Sequence, residues 1–347
     1  MNQIVLEILN WYHKNARNLP WRVTNDPYKI WLSEIILQQT QIIQGLTYYE
    51  KFLENFSSVN KLAKADEDRI LKLWQGLGYY SRARNLHKAA KMVVTEFNGK
   101  FPNTYNEIIK LPGVGDYTAA AIASFAFEEP YPVLDGNVFR FISRLYNIDL
   151  PIDEQKNRKV FLEVLRELMK DQPPSTFNNA MMEMGATVCK PQNPLCSTCP
   201  VQSFCEAYKK DTISIRPVKN KKIKVTVRHL NFFFIEYHNG FFIEQRTGKG
   251  IWQNLFQLPL IETMAEAKTS DLTLQLNSLY NYNVKNKVIH QQSVRHLLTH
   301  QTIEAQFWHI KVEQKPLFIN KNMVFTNLSD YKNFAVPKLI ENYLLLL

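Results

Sequence analysis

The sequence predicts two domains of different class, an all-α half to about residue 212 and an α+β domain over residues 229–347. Three observations carry this. Apolar residues recur at helical spacing from Pro27 to about Leu150, with only short breaks. Beyond residue 228 the period becomes strand-like, in His229 to Ile235 and Phe241 to Arg246, joined by the hairpin signal His238-Asn239-Gly240. A chain of 347 residues is also long enough to bury two separate cores. Between the halves, residues 213–228 carry Arg216, Lys219, Lys221, Lys222, Lys224 and Arg228 and read as a basic linker.

Residues Asn2 to Asn15 mix Glu7 with Ile4, Ile8 and Trp11, the pattern of an amphipathic helix. They have neither the basic start nor the cleavage site of a signal peptide. Asp26-Pro27 is a cap followed by proline at the first helical position. From there Trp31, Leu32, Ile35, Ile36 and Ile43 recur at helical spacing and predict a largely buried helix. Glu34 lies inside it, with Ile30, Trp31, Leu37 and Gln38 one turn away. Burial disfavours a charged carboxylate, so its pKa is expected to rise. A Glu on a solvated stripe is the alternative from this stretch alone. Leu37-Gln38-Gln39-Thr40-Gln41 then ends the helix in amides and a hydroxyl, as a chain does where it meets a polar ligand.

Further helices are predicted over residues 58–65, 66–77, 81–97, 104–111, 117–127 and 136–146. Gly76-Leu77-Gly78-Tyr79-Tyr80 is a glycine-flanked loop with aromatics at its edge, followed by Arg82, Arg84, Lys88 and Lys91. That combination suits base stacking and phosphate contact, but by itself it fits a helix–helix turn with packing tyrosines better. Leu111-Pro112-Gly113-Val114-Gly115-Asp116-Tyr117 says more. A tight glycine hairpin before the strong helix former Thr118 to Ala123 directs backbone N–H groups outward, as a phosphate-binding turn does. The pattern is that of a helix-hairpin-helix, a sequence-independent binder of DNA backbone, with Gly113, Val114 and Gly115 as its contact residues; a generic glycine turn is the alternative. Asp135 precedes the apolar period Val138, Phe141, Ile142, Leu145 and can cap that helix. The helix N-terminus should then lower its pKa. Two carboxylates in opposed environments are how acid and base roles are divided in a site.

The formal net charge of +10 points to a polyanionic partner, nucleic acid or a membrane surface. No apolar run approaches the length that spans a bilayer. The four cysteines, Cys189, Cys196, Cys199 and Cys205, follow C-x6-C-x2-C-x5-C in one short window. Counting leaves two disulfides open. The missing secretory signal favours a reducing compartment and metal ligation, by an iron–sulfur cluster or by zinc. The C-terminal region adds aromatic and β-branched segments, Ile251 to Pro259 and His296 to Ile310.

The helix-hairpin-helix, the downstream aspartate and the cysteine spacing together resemble the endonuclease III superfamily of DNA glycosylases. Within it, Leu19-Pro20-Trp21-Arg22, Trp31-Leu32-Ser33-Glu34, Leu37-Gln38-Gln39-Thr40-Gln41, Gly76-Leu77-Gly78-Tyr79-Tyr80 and Leu134-Asp135-Gly136-Asn137 resemble the MutY-type adenine DNA glycosylases. The resemblance covers essentially the whole chain. It implies a six-helix module at about residues 22–130, a cluster module of residues 1–21 plus 131–212, and a C-terminal Nudix-like domain. It implies a [4Fe–4S] cluster on the four cysteines, and duplex DNA carrying adenine opposite 8-oxoguanine or guanine as substrate, in base excision repair. Glu34 would protonate the leaving adenine and Asp135 would stabilise the sugar cation, supported by Tyr117 and Asn137. Trp21, Arg22 and Asn179 would border the adenine. Gln39, Thr40, Leu77 and Tyr79 would wedge into the stack, with Leu37 and Gln38 in the same stretch.

Relatives that cut the strand use a lysine two residues beyond the hairpin. Here that position is Tyr117, which cannot form an imine, so a monofunctional glycosylase is expected. The Nudix-like domain lacks the R-E-x-x-E-E metal helix, so lesion recognition is expected rather than pyrophosphatase activity. Where the family has Phe-Ser-His, this chain has Leu298-Thr299-His300, so Thr299 and His300 are the lesion-reading candidates. A cytoplasmic, monomeric protein is expected, on the nucleoid if bacterial, with no membrane association and no named protein partner. Competing readings are a superfamily enzyme for another lesion, a non-catalytic iron–sulfur DNA binder, and a zinc-bound structural module.

Overall fold

The computed structural model describes residues 2–220, 225–280, 288–315 and 322–347; Lys221, Lys222 and Lys224 of the basic linker lie outside the described residues. Backbone contacts divide the chain into two compact units, Met1–Lys64 with Asn85–Lys221, and Ala65–Arg84 with Lys222–Leu347. In chain order the helices before the sheet are α1 (Gln3–Asn15), α2 (Pro27–Leu37), α3 (Ile42–Asn55), α4 (Val59–Lys64), α5 (Glu67–Trp74), α6 (Ser81–Glu96), α7 (Tyr105–Ile108), α8 (Asp116–Phe127), α9 (Gly136–Leu145), α10 (Arg158–Met169), α11 (Pro174–Glu183) and α12 (Glu206–Lys209). The division between the units falls within α6, so α5 and the loop that follows it belong to the second unit.

In the first unit, α2 begins as its sequence predicts. Asp26 accepts a hydrogen bond from the Tyr28 N–H at 2.9 Å, and Pro27 takes the first turn. The helix is apolar nearly all round, with Ile30, Trp31, Leu32, Ile35 and Ile36 all buried, the pattern of a helix enclosed by protein on every side. It stops at Gln38, and Gln39 turns left-handed at φ 55°. The expectation for Ile43 is therefore corrected. The break carries Ile43 out of the register of α2 and onto α3, where it is 86% exposed.

α2 packs against α8, which enters through the glycine hairpin. Gly113 holds φ +80°, and a Cβ there would stand 2.7 Å from the Asn85 Cβ. Gly115 has open space around it. A second core joins Val5 and Ile8 of α1 to Val138, Phe141 and Ile142 of α9, Phe161 and Leu165 of α10, and Phe177 and Met181 of α11. The stretch that composition marks as a linker stays anchored to this unit as far as Asn220. The Ile152 N–H donates to the Val218 carbonyl and the Asn220 N–H to Asp153.

Among the described residues the second unit is built on a mixed sheet of seven strands: β1 (Thr226–Tyr237), β2 (Gly240–Gln245), β3 (Phe256–Gln257), β4 (Leu260–Thr263), β5 (Val288–Leu297), β6 (Gln301–Val312) and β7 (Met323–Thr326). The order is β3-β2-β1-β6-β5, with β4 on β1 and β7 on β2; β1 and β6 run parallel and every other pair is antiparallel. One face packs Phe233, Ile235, Trp308 and Ile310 against Leu272 and Leu276 of α13 (Thr269–Tyr280). On the other, Tyr343 of α14 (Lys338–Leu344) stacks on Phe307 at 4.1 Å. The alternation of inward residues along β1 and β6 is what lets one sheet serve two helical layers.

The predicted hairpin at His238-Asn239-Gly240 forms, with Tyr237 opposite Gly240. The two aromatic and β-branched C-terminal segments are only partly strand. Ile251 to Pro259 is a strand only at Phe256–Gln257, because Trp252 and Asn254 adopt φ 59° and 66° and break the extension. His296 to Ile310 is two strands, since the chain reverses at Leu298-Thr299-His300, where the Leu298 N–H donates to Gln301. The α5 segment is tied to this unit by Lys72 to the Phe334 carbonyl (3.0 Å), Gln75 to Glu341 (2.8 Å) and Arg84 to the Gln253 carbonyl (2.8 Å).

Gly113→Ala forces a Cβ into both a left-handed backbone and the Asn85 side chain. It should destabilise the protein by about 1–3 kcal/mol, read as a lower Tm, whereas Gly115→Ala should be nearly neutral.

Candidate active site

Glu34 is presented by the third turn of α2 and is only 6% exposed. Burial is the main reason its carboxyl is pushed up to about 7; the Tyr117 phenol of α8 and the Arg22 guanidinium pull it down, and the Asp135 charge pushes it up. The expected rise is present, and Glu34, Tyr117, Asp135 and Arg22 act on one another as one electrostatic group. Tyr117 is raised well above its ordinary value, first by burial and then by the two carboxylates, so it is a neutral phenol facing them.

Asp135 caps α9, accepting from the Val138 N–H (2.7 Å) and from Asn137 Nδ2 (2.7 Å). Its expected lowered pKa is corrected: burial raises it and outweighs the donors at the helix end and Arg140. The donors still distinguish the two acids. Asp135 accepts from two N–H groups that favour its anion, while Glu34 has the Tyr117 hydroxyl and, at a distance, the Arg22 charge. Asn137 is held in turn by Arg140, whose Nη2 reaches Asn137 Oδ1 (2.9 Å) and the Gly185 carbonyl (2.5 Å), and whose Nε reaches the Cys189 carbonyl (2.7 Å). Gly185 is required there, since a Cβ would stand 2.5 Å from the Asn137 carbonyl oxygen.

The other candidates of the first unit make contacts of their own. Trp21 packs edge-on against Tyr49 at 5.2 Å. Gln38 Nε2 donates to Thr118 Oγ1 of α8 (3.2 Å). Leu37 fills the space left at Gly45, where a Cβ would lie 2.6 Å from its Cδ2. Gln39 is exposed and Thr40 half-buried beyond the end of α2. Asn179 of α11 donates to the Ser175 carbonyl (3.0 Å). Its neighbour Asn178 is the buried one, donating to Ser124 Oγ and the Tyr131 carbonyl and accepting from the Val133 N–H.

The sequence reading missed Glu183. It is fully buried at the end of α11, and Arg22 Nη2 bonds its Oε2 at 2.7 Å while Arg17 Nε bonds its Oε1 at 2.6 Å. Burial alone would raise it; the bonds from Arg17 and Arg22 prevail and hold it at about 2. An acid inside the apolar run Met181-Met182-Glu183-Met184 was the available signal, of the same kind that marked Glu34.

In the second unit, Gly76, Gly78 and Tyr79 are all left-handed, at φ 99°, 72° and 46°. Buried Arg82 stands over Trp74 and Tyr79 at 5.2 and 5.6 Å, so it braces the loop rather than facing a phosphate. Leu77 is buried and Tyr79 exposed. The Tyr79 hydroxyl hydrogen-bonds that of Thr299. Next to Thr299, the His300 carbonyl accepts from the Thr226 N–H (3.1 Å).

The four cysteines are free thiols lining one hollow, open at its mouth, together with Phe141, Val188 and Val201. Arg144 grips the loop through the Lys190 carbonyl (2.7 Å) and points Nη1 at Cys189 Sγ (3.5 Å). Burial raises Cys196 and Cys205 and pushes Cys199 to about 11. Thiolates there require a strong positive centre among them, and four soft sulfurs gathered around one hollow fit an iron–sulfur cluster. Among the described residues no three His, Cys, Asp or Glu groups gather on a single ion. No helix among the described residues is long and apolar enough to cross a membrane.

Because the folded chain favours protonated Glu34, the stability that this preference contributes is full below pH about 4.5. It is lost as pH rises through about 7. Glu34→Gln should therefore be stabilising at pH 8 by about 2 kcal/mol and nearly neutral at pH 4, read by denaturant unfolding at both pH values.

The model of the HhH-GPD superfamily of base excision DNA repair proteins matches residues 32–167, the iron–sulfur binding domain of endonuclease III residues 189–205, and the NUDIX domain residues 231–346. The adenine DNA glycosylase of Buchnera aphidicola subsp. Baizongia pistaciae is 37% identical, over 95% of this chain and 92% of its own. That of Homo sapiens is 41% identical, over 58% of this chain and 38% of its own. Among solved structures, a thermostable thymine-DNA glycosylase aligns with TM-score 0.55 at 30% identity, over 60% of this chain and 96% of its own. A non-covalent endonuclease III–DNA complex, at TM-score 0.52 and 23% identity over 60% of this chain and 95% of its own, shares the fold. With a match of this length and identity behind the site, the chain belongs to the adenine DNA glycosylases, DNA-binding N-glycosylases of base excision repair that carry a [4Fe–4S] cluster, here with a C-terminal Nudix-like domain.

Proposed function

We propose that this protein hydrolyses the N-glycosidic bond of adenine mispaired with 8-oxoguanine or guanine in duplex DNA, as a monofunctional monomer. The observation that carries this reading is the pairing of Glu34, a buried acid still protonated near neutrality, with Asp135, whose oxygens face N–H donors. Adenine inside a duplex is out of reach, so it is flipped out of the stack at a cost of a few kcal/mol, least where the pairing is already wrong. Glu34 then gives its proton to a ring nitrogen of the leaving adenine, and Asp135 stabilises the oxocarbenium-like sugar until water adds. Tyr117, itself a neutral phenol, hydrogen-bonds the Glu34 carboxyl and orients it, and Asn137 fixes the rotamer of Asp135. Trp21, Arg22 and Asn179 border the adenine.

Gln39, Thr40, Leu77 and Tyr79, with the Leu37-Gln38 turn, enter the stack beside the lesion. Thr299 and His300 read 8-oxoguanine; the bond between the Thr299 and Tyr79 hydroxyls supports placing the reader beside the wedge. The backbone N–H groups of Gly113, Val114 and Gly115 hold phosphate. The proposed domains are residues 1–212 for catalysis, 213–228 as basic linker and 229–347 for lesion recognition. The cluster, when bound, ties the Cys189 to Cys205 loop into a rigid body; the proton and charge steps are those of the side chains. A reducing cytoplasm suits its free thiols.

The test is single-turnover release of adenine opposite 8-oxoguanine. The rate should fall as pH rises through about 7, because Glu34 must hold its proton. Glu34→Gln should lose about 10²–10⁴-fold, and Thr299→Ala should narrow the preference for 8-oxoguanine over guanine. Full activity in Glu34→Gln removes the general-acid reading.

A further inference from the structure

Glu183 has no part in the chemistry proposed above, yet it is the most deeply buried acid next to it. It is fully enclosed, and both of its oxygens are used. Arg17 donates to it from the backbone N–H (3.2 Å), Nε (2.6 Å) and Nη2 (2.7 Å), and Arg22 from Nη2 (2.7 Å). Arg22 Nη1 also reaches the Arg17 carbonyl at 3.3 Å, and the guanidinium lies 5.9 Å from the Tyr12 ring of α1. The guanidinium is thereby fixed on one edge by a carboxylate. Its charge still reaches Glu34, where it favours the ionised form.

A structural clamp would need only the Arg17 bonds, which tie the segment after α1 to α11. The second cation, held at the same carboxylate but facing the Glu34 group, is what a clamp does not require. We infer that Glu183 is a positioning residue: through Arg22 it fixes the geometry of the adenine-binding edge and offsets a positive charge that would otherwise take the proton from Glu34. The inference rests on Glu34 as the acid. The charged or titratable groups that face Glu34 are Tyr117 from α8, Asp135 at the head of α9, and Arg22 from the segment after α1. Glu183 and Arg17 act through Arg22, and Arg140 acts through Asp135.

Two substitutions shift the field at Glu34 in opposite directions. Glu183→Gln keeps shape and an acceptor but leaves two cations uncompensated. The descending limb of the pH–rate profile for single-turnover adenine release should move down by about one unit, about tenfold slower on that limb. Arg17→Gln, at a side chain 39% exposed, leaves the Glu183–Arg22 pair and removes one cation, so the limb should move up. Glu183→Asp, which restores the charge, should return the limb toward the wild-type position. Thermal unfolding and the visible absorbance of the cluster report that each variant is folded; should Glu183→Gln fail to fold, the upward shift in Arg17→Gln still decides. Slower release at every pH with the limb unmoved overturns the inference and leaves Glu183 a clamp. A Glu34→Gln protein that remains active overturns the general-acid reading instead, so the two failures are distinguishable.

Discussion

A carboxyl group enclosed by apolar side chains must either give up its charge or be met by cations, and this fold contains both outcomes a short distance apart in its first unit. Glu34 sits on a helix whose other faces are Trp31, Leu32, Ile35 and Ile36, with no cation bonded to it, and it is pushed to about 7. Glu183 is enclosed just as fully, but two guanidinium groups close on it and hold it at about 2. Desolvation is the leading influence in both; the partner decides the sign. Arg22 is common to the two, bonded to one acid and felt by the other. For the proposed chemistry this matters because an acid catalyst must keep its proton near neutral pH, and a nearby unbalanced cation would remove it.

The second constraint is backbone rather than charge. The loop from Cys189 to Cys205 has only short 3-10 turns and a π-helical entry, Met184–Val188, so few of its carbonyls are satisfied by regular structure. Arg140 and Arg144 from α9 supply donors instead, reaching Cys189, Lys190 and Pro191. The same helix carries Asp135 at its head. One amphipathic helix therefore positions a cap carboxylate at its start and gathers the cysteine loop along its side, with Gly185 permitting the close approach that both need.

In the second unit, residues 65–84 fold with the Nudix-like sheet although they lie in the helical half of the sequence. Lys72 of α5 reaches Phe334 and Gln75 at the end of that helix reaches Glu341, and the loop after it meets the hairpin tip through Tyr79 and Thr299. Of the residues proposed to wedge beside the lesion, Leu77 and Tyr79 thus share one compact unit with the proposed reader Thr299 and His300, whereas Gln39 and Thr40 belong to the first unit. That arrangement spares the reader and this part of the wedge from having to find each other on each encounter, which reduces the ordering entropy of recognition.

Much of this was set by local rules. Asp26-Pro27 and Asp135 mark helix starts wherever they occur, the Gly113 turn has few conformations open to it, and the period change after residue 228 separates helix from sheet. The cysteine spacing and the motif around Glu34 were legible for the same reason: the chemistry resides in neighbours along the chain. What the sequence could not decide was every property that depends on distant partners. Ile43 left the face of its helix because the chain turned at Gln39, and Asp135 rose rather than fell because burial outweighed its cap. The charge of Glu183 was fixed by arginines 166 and 161 residues away, and residues 65–84 joined the distant sheet. Propensity and capping act within a few residues, whereas desolvation and ion pairing act through space, so only the tertiary structure determined which buried acid keeps its proton.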